Sequence, residues 1–165
     1  MIIAAGLLAA AAPVAAAPTA PNRDATGKAL ILVPLTLTKI DDLSFGSIVP
    51  SGVSGVVVID SSTGARMVFG GVTGIASDPG NRAYFGGGGS PSQPVIVTMT
   101  QPAQLVSSAG DTLPLLALTL QGSPIKIIDP VTRTFFFGIG GIIIVNANQP
   151  DGIYDATFTV TANYQ

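Results

Sequence analysis

The sequence contains no cysteine, no histidine, no tryptophan and no glutamate. Without cysteine there is no disulfide framework, no thiolate zinc site and no thiol nucleophile. Without histidine, Ser-His-Asp catalysis and imidazole-ligated metals are excluded. Without tryptophan, sugar stacking would fall on three tyrosines, Tyr84, Tyr154 and Tyr164. Charge is also scarce: 10% of residues are charged, against about 25% in an average globular chain. All nine acids are aspartates, and the seven cations (Arg23, Lys28, Lys39, Arg66, Arg82, Lys126 and Arg133) are scattered. They form no basic stripe of the kind that displaces counterions from phosphates, so nucleic acid is not an expected partner. So few charges leave copies of the chain weakly repelled from one another. Such a surface aggregates or is covered by a partner.

What remains is apolar and rich in turns. Hydrophobic residues make up 47% of the 165 residues, with 20 glycines and 13 prolines. That length suits one domain. The first twenty residues, MIIAAGLLAAAAPVAAAPTA, read as the apolar region of a signal peptide with cleavage after Ala16. Interrupted by Pro13, they fall short of the roughly 20 residues that a spanning helix needs. The expected organisation is a signal peptide (1–16), a flexible lead (17–28) and one domain (29–165). The mature chain is expected to be exported to the periplasm, cell surface or medium, with no stable membrane span.

Alternation with period two recurs through the rest. ALILVPLTLTK (29–39) places Ile31, Val33, Leu35 and Leu37 on one face. Pro34 marks it as an edge strand or a break. LSFGSIVPSG (43–52) is a short strand, and GVVVIDSSTGARMVF (55–69) is a hairpin around SSTG. Residues 70–93 read as loop with a short strand at Ala83–Phe85. PVIVTMTQP (94–102) alternates, DTLPLLALTLQG (111–122) reads as buried on both faces, and residues 125–152 give two or three short strands. The closing strand, Ile153 to Tyr164, faces Tyr154, Ala156, Phe158, Val160, Ala162 and Tyr164 inward. About seven to nine short strands without a helix predict an all-β fold, an antiparallel immunoglobulin-like β-sandwich.

Four stretches resemble chemical motifs. In VVVIDSSTG (56–64), Asp60 reads as the corner of a turn rather than half of a protease dyad, since two serines separate it from Thr63-Gly64. GGGG (86–89) lacks the lysine and helix of a phosphate cradle and reads as a loop. Asp78, Asp111, Asp129 and Asp151 each sit beside Pro or Gly, as turn residues do, and Asp41-Asp42 stands apart from them, so no calcium loop is predicted. Phe135-Phe136-Phe137 and Ile142–Ile144 read as core. No catalytic, cofactor or metal residue emerges, and the chain is not expected to be an enzyme.

PLTLTKIDDLSFGSI (34–48), SGVSGVVVI (51–59) and DGIYDATFTVTANYQ (151–165) together resemble a secreted bacterial domain-of-unknown-function family, number 4402, common in alphaproteobacteria. The resemblance spans about residues 29–165. The ending is also similar to chaperone–usher pilins, with a penultimate aromatic, Tyr164, and a glycine fourteenth from the end, Gly152. That second resemblance implies a subunit of a cell-surface fibre that polymerises by strand donation, with a periplasmic chaperone and usher as further partners. Gly152, Tyr154, Phe158, Val160 and Tyr164 would form the receiving strand, and Ile31, Val33, Leu35 and Leu37 the donor. The alternative is a self-contained exported module that binds a glycan or protein.

Overall fold

The computed structural model describes residues 23–165. The expected signal peptide and residues 17–22 of the lead lie outside that range. Residues 23–31 belong to a separate unit from Leu32–Gln165; they carry no strand and are exposed.

Leu32–Gln165 is all β, with no helix among the described residues. Thirteen strands occur: β1 (Thr36–Asp41), β2 (Ile48–Val49), β3 (Gly55–Ile59), β4 (Arg66–Gly70), β5 (Thr73–Gly74), β6 (Ala83–Gly88), β7 (Pro94–Met99), β8 (Gln104–Ser107), β9 (Thr112–Leu120), β10 (Ile125–Ile127), β11 (Thr134–Val145), β12 (Tyr154–Asp155) and β13 (Val160–Tyr164). The count exceeds seven to nine because three of these strands are two residues long and β10 is three. All ladders are antiparallel. The large sheet runs β1-β6-β11-β9-β8-β12, with β3 and β4 joined through β11; a second sheet runs β10-β7-β13. Together they make the antiparallel β-sandwich that the alternation predicts. Phe85, Leu113, Leu115, Phe137 and Ile143 from the large sheet are buried in one core cluster with Val95 and Val97 of β7.

The spine is β11. On one edge its first half pairs with β6 and its second half with β3, while β9 takes the other edge. It stays continuous through Gly138–Gly141, where two separate strands were expected. A Cβ at Gly140 would lie 2.1 Å from the Ile59 carbonyl oxygen. Glycine there permits close backbone approach rather than a turn.

The glycine run is likewise strand, not loop. Gly86–Gly88 belong to β6 and pair with Thr134–Phe136. A Cβ at Gly87 would meet Phe135 Cζ at 2.3 Å, and one at Gly86 would meet Phe136 Cε1 at 2.8 Å. The phenyl rings of β11 cover the bare backbone of β6. Phe135 and Phe137 are core, whereas Phe136 is 52% exposed on the outer face. Leu116 of β9 is also exposed, so that strand is not buried on both sides.

The first strand is shorter than its alternation. It begins at Thr36, two residues after Pro34, and pairs with β6 alone, an edge position that tolerates the proline. The closing strand is interrupted. β12 pairs with β8 in the large sheet and β13 with β7 in the small one, and Ala156–Thr159 cross between them without regular pairing. The inward phase survives the crossing: Tyr154, Phe158, Val160, Ala162 and Tyr164 pack against the core, and only Ala156 is exposed.

Candidate functional site: a groove beside the last strand

Among the described residues β13 has a strand partner on one side only, β7, and β1 on one side only, β6. Their other edges flank a common gap. The Tyr164 hydroxyl closes one end, donating to the Val33 carbonyl at 2.7 Å and accepting from the Ser90 N–H at 2.7 Å. Ser90 Oγ in turn accepts from the Val33 N–H at 2.8 Å. Further along, a cavity of about 160 Å³ separates Lys39 and Asp42 from Phe158 and Val160, with Phe85 at its wall. Beyond it a larger cavity of about 580 Å³ runs under Tyr154, Ala156 and Phe158. Ala156 and Phe158 line both.

The walls of the larger cavity include core side chains, among them Leu113, Leu115, Ile143 and Val145. Leu113 and Leu115 are each only 6% exposed. The cavity therefore reaches the core, and exposed Asp78, Asp151, Ile153, Asp155 and Ala156 line it as well. Apolar wall atoms that face unfilled space forfeit dispersion contacts on that side. A strand edge beside it leaves N–H and C=O groups without ladder partners.

Polar groups hold the rim. Tyr154 Oη donates to the Pro150 carbonyl at 2.8 Å and accepts from Gln149 Nε2 at 3.0 Å; that amide also donates to the Thr112 carbonyl. Across the cavity, Leu43, Phe45 and Ile48 come from the segment between β1 and β3, which Arg66 fixes. Its guanidinium donates to the carbonyls of Phe45, Ser47, Asp78 and Ile75, at 3.2, 3.0, 2.9 and 2.6 Å. Nothing in the spacing of Arg66 identifies this role.

Of the expected receiving residues, Gly152, Tyr154 and Phe158 line the larger cavity and Phe158 and Val160 the smaller, whereas Tyr164 lines neither. Gly152 sits in the loop before β12 with φ +151°, a value that side-chain-bearing residues rarely adopt. The four donor residues are divided. Leu35 and Leu37 pack against their own core. Val33 is 51% and Ile31 92% exposed.

The remaining motif residues act locally. Asp60 Oδ1 accepts from the Ser62 and Thr63 N–H groups at 2.9 and 2.7 Å and from the Thr63 hydroxyl at 2.9 Å. Asp129 accepts from Val131 and Thr132 in the same manner. These donors, Thr63 N–H first for Asp60 and Thr132 N–H first for Asp129, hold both carboxyls below the usual range. No three acidic side chains converge among the described residues.

The family model described as Domain of unknown function (DUF4402) matches residues 35–164. The chain belongs to that family. The matched span of this DUF4402 chain begins at Leu35, where side chains first enter the core, and ends at Tyr164, which closes the groove. No curated protein and no solved structure matches the chain significantly.

On its outer face the DUF4402 domain carries a second apolar feature. β4 pairs only with β3, and its Met67 and Phe69 are 44% and 56% exposed. Near the β6 end of the same face, Tyr84 stacks on Phe136 with ring centroids 6.0 Å apart, and the Arg82 guanidinium lies 4.8 Å from the Tyr84 ring.

Proposed function

We propose that this chain is an exported structural subunit of a cell-surface fibre, joined to its neighbours by strand addition at β13. The observation that carries the reading is that, among the described residues, β13 is paired on one side only and its Val160 lines a cavity of about 160 Å³, while a second cavity of about 580 Å³ opens beside Tyr154, Ala156 and Phe158 just ahead of it. An extended segment laid along β13 would supply ladder partners through its backbone and fill the void with alternate side chains. Such a contact joins unlike surfaces, so it propagates instead of closing. The apolar, small-residue start of the sequence supports export. A periplasmic chaperone and an usher are the partners that this mode of assembly would call on.

The test is the assembly state of the full chain, read by size-exclusion chromatography and negative-stain microscopy. The expected result is a series of multimers that Ala156→Trp abolishes, because an indole at a position that lines both cavities takes up the space beside the strand. A stable wild-type monomer with cooperative unfolding overturns the reading.

A second reading, a glycan-binding module, rests on the Tyr84–Phe136 pair, an aromatic platform with Phe136 half exposed. Glycan-array binding lost on Phe136→Ala would favour it.

A further inference from the structure

The open edge of β4 has a definite hydrogen-bond phase. At the turn between β3 and β4 the Asp60 N–H donates to the Ala65 carbonyl at 2.9 Å, and at the far end the Gly71 N–H donates to the Ser54 carbonyl at 3.1 Å. Bonded and non-bonded pairs alternate along an antiparallel ladder, and the β3–β4 register runs without a shift between these ends. Met67 and Phe69 therefore bond Val58 and Val56, while the N–H and C=O groups of Arg66, Val68 and Gly70 point away from β3. Among the described residues no strand takes them up. The edge also lacks the devices that guard an open strand: lysine, proline or a bulge. Met67, Val68 and Phe69 are 44%, 38% and 56% exposed, so the strand is bare on both faces.

We infer that two copies of the chain pair at β4, antiparallel and centred on Val68, as a weak two-fold homodimer. In that register the strand complements itself. All five of its residues find a partner, and Val68 exchanges both N–H···O bonds with the Val68 of the second copy. Met67 stands opposite the second copy's Phe69 in a non-bonded pair, where side chains lie closest, a favourable thioether–aromatic contact. The cross-strand rows behind them match too. On the outer face Ile144, Val56 and Phe69 form one row, and Ile142, Val58 and Met67 another. The two-fold joins the first row of one copy to the second row of the other. On the inner face the row of Ile143, Val57 and Val68 meets its own copy. No polar side chain interrupts any of the three. Charge does not oppose the contact, because the strand's one ion, Arg66, spends its guanidinium on carbonyls of its own domain. Five residues a side bury well under the ~800 Å² per partner of a standard interface, so the pair forms at high concentration and parts on a sizing column. The contact is isologous and closes at two copies, which separates it from any assembly at β13.

The absence of native cysteine makes cross-linking a clean test. Full chains carrying Met67→Cys, Val68→Cys or Phe69→Cys are oxidised with copper–phenanthroline and run on non-reducing gels. Association through β13 is common to all three, so their differences read β4 alone. Val68 and its counterpart stand about 5.5 Å apart between Cα atoms, inside the range a disulfide spans. Met67 and Phe69 meet their own counterparts only on the diagonal, at about 7–8 Å, beyond it. The expected result is a disulfide dimer from Val68→Cys at least tenfold faster than from either neighbour. Mixing Met67→Cys with Phe69→Cys chains should give the mixed dimer in preference to either self-dimer. Adding Val68→Pro to both chains of the mixture removes the outward N–H, which an edge strand tolerates, and should abolish the mixed dimer with the thermal melt still cooperative. Faster self-linking by Met67→Cys or Phe69→Cys overturns the register. Equal, slow linking by all three overturns the dimer, as does a folded Val68→Pro mixture that links unchanged.

Discussion

The hydroxyl of Tyr164 donates to the carbonyl of Val33 at 2.7 Å, tying the end of the last strand to the chain just ahead of the first, 131 positions away. The same oxygen accepts from Ser90 at 2.7 Å. Tyr164→Phe keeps the ring and removes both bonds. It is expected to cost about 1–2 kcal/mol, seen as a lower urea midpoint with an unchanged slope.

The glycine run makes a sharper contrast. Gly87→Ala drives a methyl to 2.3 Å from Phe135 Cζ and 2.7 Å from the Thr36 carbonyl oxygen, whereas at Gly88 the nearest atom is 3.3 Å away. Gly87→Ala is expected to destabilise by about 1–3 kcal/mol through overpacking. Gly88→Ala should cost clearly less in the same thermal melt.

Arg66 satisfies four carbonyls with one side chain. Arg66→Met retains part of the apolar stem and leaves those acceptors to water. A loss of about 2–4 kcal/mol is expected. Hydrogen exchange should localise it, with Ser47 and Ile75 N–H groups losing protection before those of β11.

Acid should weaken two turns. Asp60 and Asp129 have carboxyls held below the unfolded value of 3.8 by turn N–H groups. A depressed folded pKa adds stability that is fully present above the unfolded pKa and is lost as pH falls through the folded one. Urea midpoints are therefore expected to be flat from pH 8 to 5 and to fall below about pH 4. Asp60→Asn should reduce that fall, and Asp60→Asn with Asp129→Asn should reduce it further.

Met67 and Phe69 lie exposed on the edge strand β4. Unprotected apolar edges template association. Phe69→Lys is expected to raise the solubility limit several-fold and leave the melting temperature within about 3 °C, since surface substitutions fall within about 0.5 kcal/mol.

Much of this architecture was legible from alternation. The hairpin at 55–69, the strand at 94–99 and the inward phase of Tyr154 to Tyr164 all follow from period two, because one face of each is buried. The crossing at Ala156–Thr159 does not, since the same phase serves a strand in either sheet. Gly86–Gly88 were misread because glycine's turn preference is local, while the rings that require it come from β11. Ile31 and Val33 alternate as a strand would, but pattern cannot supply a partner. The groove itself was invisible: its walls, Leu113 and Ile143, look like any core residues until the space beside them is seen.

Because β11 clasps β6 and β3 end to end along a single edge and β9 along the other, three earlier segments must wait for it. A ribosome would release residues 55–120 well before their shared central partner exists. Closing such distant pairings is slow, and the waiting strands stay open to wrong neighbours. Folding of the large sheet is therefore expected to finish only once Thr134–Val145 has been made.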